Sequence, residues 1–333
     1  MTLSSVLDVS PPPPAAGSGI VAHGLARSFG PVHAVRDVSL TAPAGTVTAL
    51  VGPNGSGKTT LMLLLATLLR PDAGSVAVAG VDATADPQEA RRHLGWMPDT
   101  LGVWESLTCH DILTSLGRLY GMGRVAAAAR ADEQLEWVEL TEFARRPARV
   151  LSRGQQQRLS LARATVHRPA VLLLDEPANG LDPTSRIRLR DDLRAMAAAG
   201  TAVLVSSHVL AELEEMSDRA VFVREGATVS TQDFAAAGAQ TRPYRIAGPD
   251  PARRDELVHA LAAHGLVPGA DAGNRRDGVV VQVRGEQAAA ELLADLVRDG
   301  VPVSHFAPEG SRLENAYLDL DLDHRRHTEG ERP

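Results

Sequence analysis

A glycine-rich loop between an apolar run and a helix is the strongest constraint on how this chain folds. The segment is "ALVGPNGSGKTTLM", Ala49–Met62. Gly52, Gly57, Lys58 and Thr59 match the spacing G-x-x-x-x-G-K-[ST], and Gly52, Pro53, Asn54, Gly55, Ser56, Gly57, Lys58, Thr59 and Thr60 form the loop and helix start. Glycines let successive backbone N–H groups close around phosphate oxygens. Lys58 places a cation near the outer phosphates, and Thr59 offers a hydroxyl to Mg2+. Such a loop works between a strand and a helix start, so it predicts an α/β core.

Two further apolar runs suit buried parallel strands: "AVLLLDEP" and "TAVLVSSH". A helix over about Pro183–Ala199 joins them into a βαβ unit. The first run ends in two acids, Asp175 and Glu176. Consecutive strand side chains point opposite ways, so the two acids are expected to do different jobs. Asp175 suits Mg2+, through its water. Glu176 suits the orientation or deprotonation of an attacking water. The second run ends at His208. A lone histidine is usually structural. At a strand end beside a phosphate loop it can reach a γ-phosphate, because such sheets bind ligands at the carboxyl ends of their strands.

Around this core the composition changes twice. Residues 1–19 are rich in Pro, Ala, Gly and Ser and read as a disordered leader. Strand-like patterns begin at Ile20. From about Arg91 to Arg163 the pattern is helical, an insertion into the α/β core. After about residue 240 it alternates between strands and helices, predicting a small α+β domain over 241–323 and a charged tail over 324–333. The single cysteine, Cys109, excludes an intrachain disulfide framework and a cysteine metal cluster. The start of the chain lacks the pattern of a secretory signal. The longest apolar run, Leu61–Leu69, is too short to span a bilayer. A net charge of -7 offers no steering field for nucleic acid, and none is expected as a partner.

The stretch "LSRGQQQRLSLARA" begins at Leu151. Ser152 reads as the N-cap of a helix. A helix start is also a place to hold an anion.

The phosphate loop, "LSRGQ", "LLLDEP", "NGLD" and "SSH", in that order, resemble the nucleotide-binding subunit of ATP-binding cassette (ABC) transporters. The resemblance covers about residues 20–240. The "ARSFGPVHAV" start and "LENAYLDL" ending are further similar to ATPase subunits of the ABC-2 type, mostly exporters. It implies a P-loop NTPase ABC cassette: a RecA-like core, an inserted helical subdomain and, here, an appended C-terminal domain. It implies an ATPase that binds ATP and Mg2+ on the cytoplasmic face of the plasma membrane. Separate transmembrane permease subunits would be driven by a homodimer or heterodimer of such chains, packed head to tail around two ATP. In that arrangement Ser152, Gly154 and Gln155 meet the ATP held by the partner. Lys58, Glu176 and His208 carry hydrolysis, and Thr59, Asp175 and Asp99 contact Mg2+. Phe29 stacks on adenine, with a core role as the alternative, and Asp182 communicates across the dimer.

Two positions depart from the family's usual pattern. Arg153 stands where the signature has glycine; its side chain either faces solvent, which is the expectation, or adds charge near the phosphates. Asp99 stands where a glutamine usually contacts Mg2+ and relays nucleotide state. Aspartate also coordinates Mg2+, and it adds charge beside Asp175 and Glu176. The permease is expected to dock around Asp99–Gly121, with Trp104, Leu107, Ile112 and Leu116 forming an apolar groove or serving the helical block's own core. The alternative function is a soluble ABC-type ATPase acting on ribosome or DNA. Its relatives carry two cassettes or long coiled coils, and neither is visible. A GTPase would need an N-K-x-D element, which the sequence lacks.

Overall fold

The computed structural model describes residues 19–100, 102, 104, 106–233, 241–267, 278–310 and 313. The expected tail, and all of the expected leader but Gly19, lie outside these residues. The chain divides into two units, Met1–Gln232 and Asp233–Pro333.

The first unit is built on a ten-stranded sheet. Its strands are β1 (Ile20–Phe29), β2 (Val32–Ala42), β3 (Val47–Val51), β4 (Ala73–Val78), β5 (Val81–Asp82), β6 (Leu94–Met97), β7 (Val171–Asp175), β8 (Ala202–Ser206), β9 (Arg219–Arg224) and β10 (Ala227–Asp233). They lie in the order β5-β4-β1-β2-β10-β9-β3-β8-β7-β6. One edge is antiparallel: β1 pairs with β2 and β4, and β4 with β5. At the other end β9, β3, β8, β7 and β6 run parallel. Every residue of β3, β7 and β8 is buried. These strands read as unbroken apolar runs because both of their faces are covered. Their carboxyl ends deliver Gly52, Asp175 and Ser206 to one rim, with Asp175 directly opposite Ser206.

The helices of this unit are α1 (Lys58–Leu65), α2 (Pro87–Arg92), α3 (Cys109–Leu119), α4 (Arg124–Trp137), α5 (Arg153–Thr165), α6 (Pro183–Ala198) and α7 (Leu210–Met216). The helical stretch expected from Arg91 is interrupted, because Leu94–Met97 is the strand β6, paired parallel with β7. Four residues are too few to show a period. Gly95 marks the strand: a β-carbon there would lie 2.3 Å from Ala164 O, so α5 crosses β6 at backbone distance. Beyond β6 the helices have a core of their own, in which Cys109, Ile112 and Leu113 of α3 meet Ala131, Leu135 and Leu159.

The second unit alternates β11 (Thr241–Ala247), α8 (Arg254–Ala263), β12 (Val279–Arg284), α9 (Gly285–Arg298) and β13 (His305–Pro308). Its sheet is antiparallel, in the order β12-β11-β13. Tyr244, Ile246, Val279, Val281 and Val283 form one face and pack with Leu257, Leu261, Leu292 and Leu296 of the two helices. The period-2 spacing of the strand residues produces that face. Among the described residues no helix is long and apolar enough to cross a membrane.

Candidate nucleotide-binding and hydrolysis site

The loop after β3 is shaped by close backbone approach. A β-carbon on Gly52 would lie 2.2 Å from Val223 O, and one on Gly57 would lie 2.2 Å from Ala34 O. Gly57 also has φ +94. Both motif glycines are therefore required by the sheet that cradles the loop. Lys58 Nζ donates to Gly52 O at 2.6 Å and Pro53 O at 3.1 Å, folding the ammonium back over the loop. Burial lowers the Lys58 pKa, while Glu176 and Asp175 nearby pull the other way. Ser56 Oγ is buried without a protein partner. Thr59 is exposed and Thr60 half-buried in the first turn of α1.

Asp175 ends β7 only 4% exposed, and Ser206 Oγ donates to its Oδ1 at 2.6 Å. Burial raises its pKa, and the charges of Glu176 and Asp99 add to that. Glu176 lies just past the strand at φ +51, a left-handed conformation that side chains with a β-carbon seldom adopt. The separation of the two acids therefore comes from a turn, and not from strand alternation alone. Glu176 N–H donates to Ser206 O and Ser206 Oγ, each at 3.2 Å. Its carboxylate lies 2.7 Å from His208 Nδ1. Asp99 accepts from Asn179 Nδ2 at 3.2 Å, which brings the loop after β6 to the turn after β7.

These residues fit a phosphate-bound divalent cation. A buried carboxylate crowded by two more acids is an electrostatic deficit that a cation corrects. Among the described residues no three His, Cys, Asp or Glu side chains could hold an ion alone. The Thr59 hydroxyl and phosphate oxygens would have to complete the shell.

Phe29 ends β1 at 44% exposure, so it is not a core side chain. The Arg27 guanidinium lies 4.9 Å from the centre of its ring. The neighbouring strand reaches the phosphate loop at Ala34, where Gly57 abuts it.

Ser152 caps α5 in a capping box. Gln155 N–H donates to Ser152 Oγ at 3.3 Å, and Ser152 N–H donates to Gln155 Oε1 at 2.8 Å. Arg153 is exposed, as expected, but it lies across Gly180: a β-carbon there would meet its Nε at 2.8 Å. Gly154 faces Leu181, which a β-carbon would meet at 3.7 Å. Asp182 caps α6, accepting from Ser185 N–H at 3.0 Å and Ser185 Oγ at 2.7 Å, and these bonds hold its pKa down.

The apolar groove expected from four residues divides. Ile112 is fully buried in the helical core and Leu116 packs against it. Trp104 and Leu107 are exposed. Ser206, Asn179 and Gln157 were not legible as site residues. The repeated serines of "VSSH" were one available signal and the place of Asn179 in "NGLD" another, while nothing assigned a role to Gln157.

The family model for ABC transporter matches residues 35–179. Daunorubicin resistance ATP-binding protein DrrA3 of Streptomyces coeruleorubidus is 34% identical over 93% of this chain and 98% of its own length. Nod factor export ATP-binding protein I of Burkholderia lata is 36% identical over 73% of this chain and 81% of its own. A dimeric bacterial ABC transporter cassette superposes with TM-score 0.60 at 24% identity, covering 64% of this chain and 98% of that structure. The order of strands, the loop at the end of β3 and the acids at the end of β7 give that likeness a physical basis. The chain belongs to the ABC transporter family, as one of its ATP-binding, ATP-hydrolysing subunits.

Proposed function

We propose that this subunit drives export by pairing head to tail with a second ATPase subunit and docking on separate transmembrane permease subunits. The observation that carries the reading is the 2.7 Å contact between Glu176 and His208, beside a phosphate loop on the same sheet rim. Lys58 and the loop N–H groups bind the phosphates of ATP, and Phe29 stacks on its adenine. Glu176 takes a proton from water as the water attacks the γ-phosphorus, and ADP leaves. His208 fixes the Glu176 carboxylate. Thr59, Asp175 and Asp99 would hold Mg2+, which neutralises charge on the phosphates when bound.

The start of α5 carries Ser152, Gly154 and Gln155. It presents N–H groups and the positive end of a helix to the ATP of the partner subunit. ATP thereby completes the dimer, and its hydrolysis loosens it. Export, and a place on the cytoplasmic face of the membrane, agree with relatives named for drug resistance and Nod factor export.

The test is purification of the Glu176→Gln chain from its native host with Mg-ATP in mild detergent, followed by mass spectrometry. A polytopic membrane protein at near-equal stoichiometry is the expected result. Ribosomal proteins or DNA without a membrane partner would replace this reading with a soluble ATPase. The same preparation distinguishes one ATPase chain from two.

A further inference from the structure

Gln157 lies one turn into α5 and is 3% exposed. Its Nε2 donates to Pro177 O at 2.8 Å and to Glu176 O at 3.3 Å. The side-chain amide of a signature-helix residue is thus held by two successive carbonyls of the turn that leaves β7.

That turn needs holding. Glu176 at φ +51 occupies a conformation that persists only where its surroundings over-determine it. Ser206 fixes the peptide on one side, accepting from Glu176 N–H. Gln157 fixes the peptide on the other, through Glu176 O. Between those two peptides the direction of the Cα–Cβ bond is set, and with it where the carboxylate can reach. Arg153 lying over Gly180 and Gly154 facing Leu181 extend the same contact, so α5 lines the segment from Glu176 to Leu181.

We propose that Gln157 is a positioning residue for hydrolysis: it holds the backbone of Glu176 in the left-handed conformation that aims the carboxylate at the attacking water. This rests on the reading of Glu176 as the base. It ties the accuracy of that base to the helix whose first turn faces the partner's nucleotide.

The experiment uses the full chain and two substitutions. Gln157→Met keeps the length of the side chain and removes both donors. Its kcat for ATP is expected to fall about 10- to 100-fold, because a base displaced by an ångström loses that much. KM and the affinity for a fluorescent ATP analogue are expected to stay within about twofold, since the phosphate loop is untouched. Gln157→Glu keeps the shape, but its carboxyl donates only when protonated. Its kcat relative to the native chain should therefore recover as pH falls from about 8 to about 6, a profile that a packing defect would not give.

Combination with Glu176→Gln closes the test. If Gln157 acts through Glu176, Gln157→Met leaves the residual rate of Glu176→Gln unchanged. An equal proportional loss in both backgrounds overturns the proposal. So does a kcat within twofold of the native chain for Gln157→Met, or a parallel loss of nucleotide affinity. Native-like hydrolysis by Glu176→Gln alone overturns the base assignment and this inference together. A normal Gln157→Met beside an inactive Glu176→Gln overturns only the role of Gln157.

Discussion

His208 Nδ1 lies 2.7 Å from Glu176 Oε2, and the His208 backbone N–H approaches the same oxygen at 3.3 Å. Two contacts from the end of β8 thus meet a side chain from the end of β7. Replacing Glu176 by Gln keeps the shape and removes the proton acceptor. Hydrolysis is expected to fall about 10²- to 10⁴-fold. ATP affinity should hold within a few fold, read by phosphate release against nucleotide titration. A variant that turns over like the native chain would end the assignment of Glu176 as base.

Phe29→Ala separates base recognition from phosphate recognition. Stacking on adenine is worth about 1–3 kcal/mol, so ATP affinity should drop by that amount. Inorganic triphosphate should compete as well as before. Because Phe29 is 44% exposed and its ring meets the Arg27 guanidinium as a cation partner, the cost to stability should stay at about 1 kcal/mol. Unchanged ATP affinity would place the adenine elsewhere.

Asp175 gives a prediction with a definite sign. Burial, reinforced by Glu176 and Asp99, raises its folded pKa, so the ionised form is the disfavoured one. Its contribution to stability is present below the ordinary carboxylate pKa and is lost as pH climbs through the raised value. Asp175→Asn without nucleotide should therefore melt higher than the native chain at neutral pH, with the gap closing in acid. The same substitution should cost about a hundredfold in Mg2+-dependent hydrolysis. A native chain with the higher melting point at neutral pH would contradict this account.

His167 reports on folding rather than chemistry. Its ring stacks on Tyr120 with centres 3.7 Å apart, and its Nε2 lies 3.1 Å from Leu94 O, joining the helical block to β6. Burial holds its pKa down to about 4, against an ordinary 6.5. The unfolded chain therefore binds a proton that the folded chain refuses, and stability declines as pH falls from 6.5 towards 4. The loss amounts to about 3 kcal/mol at the acid end. His167→Phe keeps the stacking and removes the titration, so denaturant unfolding of the variant should show a flatter acid limb. An identical acid limb in both chains would rule out His167 as its source.

The core and the placement of the phosphate loop were legible because their signals are local. "TALVG" and "VLLLD" are unbroken apolar runs, and G-x-x-x-x-G-K-T needs no partner to be recognised. β6 was hidden because four residues carry no period and a helix flanks them. The conformation of Glu176 was hidden for another reason. A left-handed glutamate has no signature, since its backbone is set by Ser206 and Gln157, which lie far along the chain. Arg153 was half legible: exposed as expected, yet laid over Gly180. Ile112 shows the limit of pattern reading, because an apolar residue at helical spacing fits a groove and a core equally well until neighbours decide.

The capping box has a genetic consequence. A serine hydroxyl offers one proton and two lone pairs, and at Ser152 the helix takes only a lone pair. In the proposed head-to-tail dimer, the proton would be left for an anion arriving from the opposite subunit. On that proposal, loss of the hydroxyl by Ser152→Ala would merge two lesions, a weakened helix and a weakened ligand contact, into one phenotype. Ser152→Asp divides them, since aspartate caps a helix as well as serine but repels phosphate. Such an allele would yield a well-folded subunit that disables the nucleotide site of its neighbour, and in a mixed population of chains it would behave as dominant.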